Sequence, residues 1–152
     1  MHPDFAQIRS GIRSGTFRYL GRGAGRLVYD MGDGYVVKIA RNRFGIIQNR
    51  NEHRLNARYE GDLLAKVMAV SDGYGLLVMQ AAQPLNELQP VLDHFHVKTG
   101  NGLSQVPELV DLVKKHHLVM REFVGFRNWG LMGGRPVIID YGFVKRRKRW
   151  PL

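Results

Sequence analysis

An α+β fold is what this sequence predicts. Three observations predict it: short apolar runs split by glycine turns through the first half, proline-started helical stretches through the second, and an apolar strand pair around Gly133-Gly134. Phe17–Leu20, Leu27–Asp30 and Tyr35–Ile39 are rich in aromatic and β-branched residues and are separated by GRGAG and MGDG, so they read as a three-stranded antiparallel meander with an Asp-Gly turn. Gly45–Glu60 contains no proline and many good helix formers, and it reads as a helix with a weak apolar stripe. Lys66–Val70 and Gly75–Gln80 flank Ser71-Asp72-Gly73-Tyr74 as a second antiparallel pair, which brings the sheet to five strands.

The pattern changes after Ala81-Ala82-Gln83-Pro84. Leu85–Phe95 reads as a helix and Val97–Gln105 as a loop. Pro107–Met120 reads as a second helix, with apolar Leu109, Val110, Leu112, Val113, Leu118 and Val119. LMGGRPVIIDYG reads as a hairpin whose second strand, Val137–Asp140, is apolar enough to be buried. The expected organisation is one domain: a sheet-bearing half over about 14–82, a reduced helical half over about 85–143 and a basic tail, 144–152.

Composition narrows the function classes. A chain of 152 residues with 44% hydrophobic and 24% charged residues is ordinary for one globular unit. No stretch approaches the roughly 18 consecutive apolar residues of a membrane span. The N-terminus has no secretory pattern, and with no cysteine there are neither disulfides nor thiolate metal sites; a cytoplasmic location is the expectation. The net charge of +10 favours acidic partners, and the unbroken run Lys145, Arg146, Arg147, Lys148, Arg149 reads either as a solvated tail or as a polyanion-binding segment for nucleic acid or an acidic macromolecule. His94 and His96, and His116 and His117, lack ligand spacing between the pairs and read as ordinary histidines.

Four elements carry chemistry. Gly21, Gly23 and Gly25 lie between two strands, where glycines let a backbone turn its N–H groups towards a polyphosphate; an ordinary tight turn is the plainer reading. Lys38 faces away from Val37 and Ile39 on its strand; taken alone it reads as a surface lysine of an edge strand. Glu52 follows on the next helix, with Leu55 and Tyr59 at helical spacing. Asp140 emerges at the end of a buried strand, twelve residues after Asn128, and hard divalent cations take such oxygens; a turn-forming Asp before Gly is the alternative.

In this order the elements resemble the protein kinase-like family, in the compact style of bacterial or virus-encoded members. The resemblance covers roughly Phe17–Phe143. It implies a nucleotide site of ATP and Mg²⁺, with Gly21, Gly23, Gly25 and Arg26 near the phosphates, Lys38 paired to Glu52, a hinge at Met79 to Ala82, and Asn128 and Asp140 on the metal. Two departures stand out. The third glycine comes one residue early, leaving Arg26 in the place the pattern gives it. The position five residues before Asn128, where the family keeps a catalytic aspartate, is Phe123; the nearest carboxylate is Glu122, one residue out of register.

Only nine residues follow Phe143, so the resemblance implies a nucleotide-binding core without the usual peptide platform. Three functions follow. The first is a pseudokinase-like protein acting through a macromolecular partner, most simply a protein. The second is an active small serine/threonine kinase using Lys38, Glu52, Asn128 and Asp140, with Glu122 as substitute base. The third is a basic nucleic-acid-binding module, for which no aromatic-interleaved basic motif speaks.

Overall fold

The computed structural model describes residues 3–143. The basic run Lys145–Arg149 lies outside the described residues.

The chain opens with a helix the sequence reading did not anticipate, α1 (Phe5–Arg13), capped by Asp4, whose carboxylate accepts from the N–H groups of Ala6 and Gln7. The meander follows as β1 (Arg18–Arg22), β2 (Arg26–Asp30) and β3 (Tyr35–Ala40), and then α2 (Arg43–Arg58), β4 (Val67–Val70) and β5 (Leu76–Gln80). Together they form the expected five-stranded antiparallel sheet, in the order β1-β2-β3-β5-β4. β6 (Gln83–Pro84), α3 (Gln89–Phe95), α4 (Gly100–Leu103), α5 (Pro107–Lys115), β7 (Trp129–Met132) and β8 (Arg135–Ile138) complete the chain.

The strand register sorts the sheet's two faces. Val28 lies opposite Lys38, Val36 opposite Met79 and Lys38 opposite Leu77, so these residues share one face, with Arg26 on it two residues before Val28. Val37 pairs with Val78 on the other face, where Ile8 of α1 packs against Val37, Leu76 and Val78. The helix α1 is therefore what covers the apolar back of the sheet. Gly11 belongs to this contact: a Cβ there would run into the Phe17 ring at 2.8 Å.

Three boundaries differ from the sequence reading. The expected helix 85–95 begins only at Gln89, because Gln83 and Pro84 leave as a strand that pairs with β7, so the terminal hairpin becomes a three-stranded sheet, β6-β7-β8. Within the expected loop 97–105 lies α4, capped by Thr99. The expected helix 107–120 stops at Lys115, and Met120–Phe123 forms a separate 3₁₀ turn.

The main core lies between the two sheets and the helical half. It contains Leu55, Leu77, Met79, Leu109, Leu118, Phe123, Trp129 and Tyr141, all buried. The second sheet is stitched to the approach to β4 by Ile138 N–H donating to Leu63 O at 2.6 Å and Ala65 N–H donating to Ile138 O at 2.9 Å. These bonds fix where the chain delivers Asp140.

Candidate nucleotide site

The face of the large sheet that carries Val28, Val36 and Met79 looks across a cleft of about 300 Å³ towards Pro84, Ile139 and Phe143. Apolar walls and a few convergent polar groups are the usual makeup of a small-molecule site. Gly21 and Gly23 line its mouth. Gly25 does not: it packs against the start of α2, so closely that a Cβ on Gly45 would collide with the Gly25 carbonyl oxygen, and that same oxygen accepts from Arg41 N–H at 2.7 Å. The early third glycine therefore anchors the turn to α2.

Deeper in the cleft, four charged side chains meet. Lys38 Nζ donates to both oxygens of Glu52, at 3.0 and 3.2 Å, and to Ile139 O at 2.6 Å. Arg26 reaches the same carboxylate with both terminal nitrogens, donates to Asn49 Oδ1 at 3.1 Å, and spans to Asp140 Oδ1 at 2.9 Å. Arg26 and Lys38 are each 4% exposed and Glu52 is fully buried, so these pairs sit in a medium where charges interact strongly. The side chain of Asp140 keeps 34% of its surface open to the cleft.

The ionisation of the cluster follows. Burial alone would push the Glu52 carboxyl up, but Arg26 and Lys38 outweigh it and hold Glu52 down at about 2. Burial, with Arg26 close by, pulls the Lys38 ammonium below its ordinary value despite Glu52. Asp140 is pushed up, first by burial and then by Glu52, against the pull of Lys38 and Arg26.

The helix α2 explains how the cluster is held. Its buried positions are Gly45, Gln48, Asn49, Glu52 and Leu55, an i, i+3, i+4, i+7 face that is mostly polar. Asn49 is fully buried, accepting from Arg26 and donating to Tyr74 O at 2.8 Å. Gln48, which lines the cleft, is 4% exposed, and its Oε1 has no partner. Neither Gln48 nor Asn49 was singled out from the sequence; their signal was spacing, at four and three residues before Glu52 on one helix face.

The Asp140-Tyr141-Gly142 segment is locked to the same helix. Tyr141 N–H donates to Glu52 Oε2 at 2.9 Å, and the buried Tyr141 hydroxyl donates to Ala65 O at 2.6 Å. Gly142 passes under α2 so tightly that a Cβ would meet Gln48 O at 2.8 Å, and Asn51 Nδ2 donates to Gly142 O at 3.0 Å. Of the expected metal ligands, Asp140 is therefore placed in the cleft. Asn128 is tied in by its carbonyl, which accepts from Ile139 N–H at 2.8 Å, but its side-chain Nδ2 donates to Glu122 O at 2.8 Å and stands 3.4 Å from Glu122 Oε2. Among the described residues, no three His, Cys, Asp or Glu side chains gather as a metal cluster. As arranged, the one carboxylate open to the cleft is engaged by the Arg26 guanidinium, while Asn128 uses its amide nitrogen and not its side-chain oxygen in the contact to Glu122.

Phe123 points away from the cleft, buried in the core at 1% exposure, with its carbonyl accepting from Trp129 Nε1 at 2.8 Å. Arg22 and Arg127, not anticipated from the sequence, add positive charge at the rim.

No family model matches the chain, and no curated protein matches it. Solved structures do. The kinase domain of Mycobacterium tuberculosis PknI aligns over 84% of this chain at 20% identity with a TM-score of 0.51. The chain has a protein kinase-like fold. A cysteine-to-alanine mutant of the same kinase domain gives 19% identity and a TM-score of 0.51 over the same 84%. The streptomycin–ATP ternary complex of APH(2")-IIa aligns over 93% of the chain and 72% of its own length, at 15% identity with a TM-score of 0.47. The chain spans 59% of the PknI kinase domain. Among the described residues no helix is long and apolar enough to cross a membrane.

Proposed function

We propose that this kinase-like protein binds a purine nucleotide such as ATP in the cleft and transfers phosphate poorly or not at all, acting as a pseudokinase-like module that engages a macromolecular partner. The observation that carries the second half of this reading is Phe123. Where a proton-accepting carboxylate would be needed beside the substrate hydroxyl, the chain puts an aromatic ring into its core. The first half rests on the cleft. Val28, Val36, Met79 and Ile139 offer apolar contact to a base, and Lys38 and Arg26 offer fixed cations to phosphates.

The test is calorimetric titration of the full chain with ATP, with a phosphate-transfer assay beside it. Wild type is expected to bind ATP without transferring phosphate, and Val28→Trp, checked for fold by circular dichroism, to lose binding by filling the apolar wall of the cleft beside Lys38. A well-folded wild type that ignores ATP would overturn the reading.

A second reading, an active serine/threonine kinase, is favoured by one contact: Glu122, one residue out of register, keeps its carboxylate 3.4 Å from Asn128 Nδ2. Phosphate transfer by the wild type would establish that reading in place of the first.

A further inference from the structure

We propose that the outer face of α2 is a binding surface for single-stranded nucleic acid, with Arg43, Arg50, Arg54 and Arg58 on its phosphates and Phe44 stacked on a base. This face lies on the side of the helix away from Glu52, so the proposal does not depend on the nucleotide reading of the cleft.

Charge is the first argument. Over its 16 residues α2 carries four arginines and a single acid, Glu52, which is fully buried and paired with Arg26 and Lys38. The arginines follow one another at steps of seven, four and four residues, which keeps them on one stripe of an α-helix, opposite the buried face of Gln48, Glu52 and Leu55. Arg43, Arg54 and Arg58 are exposed and Arg50 is half-buried. A solvated helix face ordinarily mixes signs, because like charges four residues apart repel. Here Arg50 and Arg54 are such a pair, Arg54 and Arg58 are another, and Arg43 stands at the positive end of the helix dipole. Among the described residues none of the four pairs with a carboxylate; Asp72, exposed on the turn Asp72–Tyr74 that packs against α2, pairs with none of them. The stripe works against the helix that bears it, and an external polyanion would relieve it.

Chemistry chooses the polyanion. The stripe is arginine throughout, the residue whose planar fork matches phosphate oxygens, and from Arg43 to Arg58 it runs along about 22 Å of helix axis at 1.5 Å per residue. At its start Phe44 is 43% exposed, with its ring centroid 6.0 Å from that of Phe143. A basic track that ends on an exposed aromatic ring suits a single strand, whose unpaired bases stack on such rings. A lipid surface would need a broad exposed apolar face, and Ile46 is the one large aliphatic side chain exposed on this helix. An acidic protein would need an apolar anchor at the centre of the patch, where Arg50 and Arg54 stand. The chain does not supply the partner itself: the segment after Phe143 adds the five cations Lys145 to Arg149 and no Asp or Glu.

The experiment follows the fluorescence anisotropy of a labelled oligouridylate of about 12 nucleotides, titrated with the full chain over a range of salt, with oligothymidylate, a duplex of the same length and polyglutamate as comparisons. Wild type is expected to bind at least one of the two single strands at least about tenfold more tightly than duplex or polyglutamate. A preference for oligouridylate would assign RNA, and one for oligothymidylate DNA. Arg43→Gln/Arg54→Gln/Arg58→Gln, which keeps the basic tail, is expected to bind at least about tenfold more weakly and to lower the slope of log K against log salt by about 2, at roughly 0.7 per phosphate contact. Phe44→Ala is expected to weaken binding at least about fivefold with that slope unchanged, which separates stacking from charge. Polyglutamate bound as tightly as the single strands would overturn the proposal in favour of an acidic protein, and duplex bound as tightly would overturn the single-strand assignment. No binding of either single strand by the wild type would overturn it too. So would a triple variant that binds like wild type, since the contacts would then belong to the tail. Both variants are checked for fold by circular dichroism; should the triple variant fail to fold, Arg54→Gln/Arg58→Gln carries the same test with a slope change of about 1.4.

Discussion

Replacing Glu52 by Gln tests the central claim that one carboxylate holds two cations inside the protein. Glu52 accepts five hydrogen bonds, two from Arg26, two from Lys38 and one from Tyr141 N–H. Glutamine keeps the shape but removes the charge, leaving two buried cations with only the half-open Asp140 between them. The folded carboxyl is held at about 2 against an ordinary 4.5, and that displacement corresponds to about 3 kcal/mol. Breaking one side of a buried pair costs a similar ~3–5 kcal/mol, so the two routes agree in size. Because the folded value is depressed, this contribution is present in full above pH 4.5 and is lost as pH falls towards 2. Urea denaturation followed by circular dichroism at pH 7 should show Glu52→Gln less stable by about 3 kcal/mol, a large share of the roughly 5–15 kcal/mol of a typical domain. On acidification the wild-type and variant curves should converge. A variant within about 1 kcal/mol of wild type at neutral pH, well below the cost of a broken buried pair, would refute the reasoning; so would a gap that persists unchanged down to pH 2.

Two further substitutions separate effects that point in opposite directions. Gly45→Ala in α2 should gain about 1 kcal/mol if helix propensity decided, yet the added methyl group collides with the Gly25 carbonyl, a backbone atom that cannot swing aside; thermal unfolding should show a lowered midpoint, and a raised one would show that the turn yields. Phe123→Asp would put a carboxylate at the position where kinases keep their base, but the side chain sits in the core. Denaturation should show a loss above about 3 kcal/mol, the scale of emptying a buried Phe site, with no phosphate transfer gained; a stable variant that transfers phosphate would contradict the placement of Phe123.

How much of this was legible in the sequence depends on the range of the interaction. The five strands were readable because their signals, aromatic and β-branched runs between glycine turns, are local. The Lys38–Glu52 pair was readable only through the resemblance in motif order, since Lys38 taken alone read as a surface lysine of an edge strand; in the fold it lies on the central strand β3 and pairs with Glu52. α1 was missed: its apolar face, Phe5, Ile8 and Ile12, is short and interrupted by Ser10-Gly11, and its partners Val37 and Val78 lie far along the chain. Arg26 was placed near phosphates by its position in the glycine pattern, but its bond to Asp140 joins residues 114 apart, and no local signal encodes that.

One feature that read as weakness in the sequence was itself informative. The apolar stripe of α2 is faint because its inward face carries Gln48, Asn49 and Glu52 in place of leucines. A helix with good formers and a poor stripe would ordinarily be expected on the surface, since burying polar groups without partners costs about 1–3 kcal/mol each. Here the helix is held inside by the partners themselves: Arg26 and Lys38 from the facing sheet, and the backbone of Tyr74 and Tyr141. Where such a helix follows a strand bearing an inward lysine, the polar face marks the wall of a charged site. In this chain the one member of that face left without a partner for its oxygen, Gln48, lies one helical turn from Glu52, with that oxygen enclosed beside the Gly25 turn.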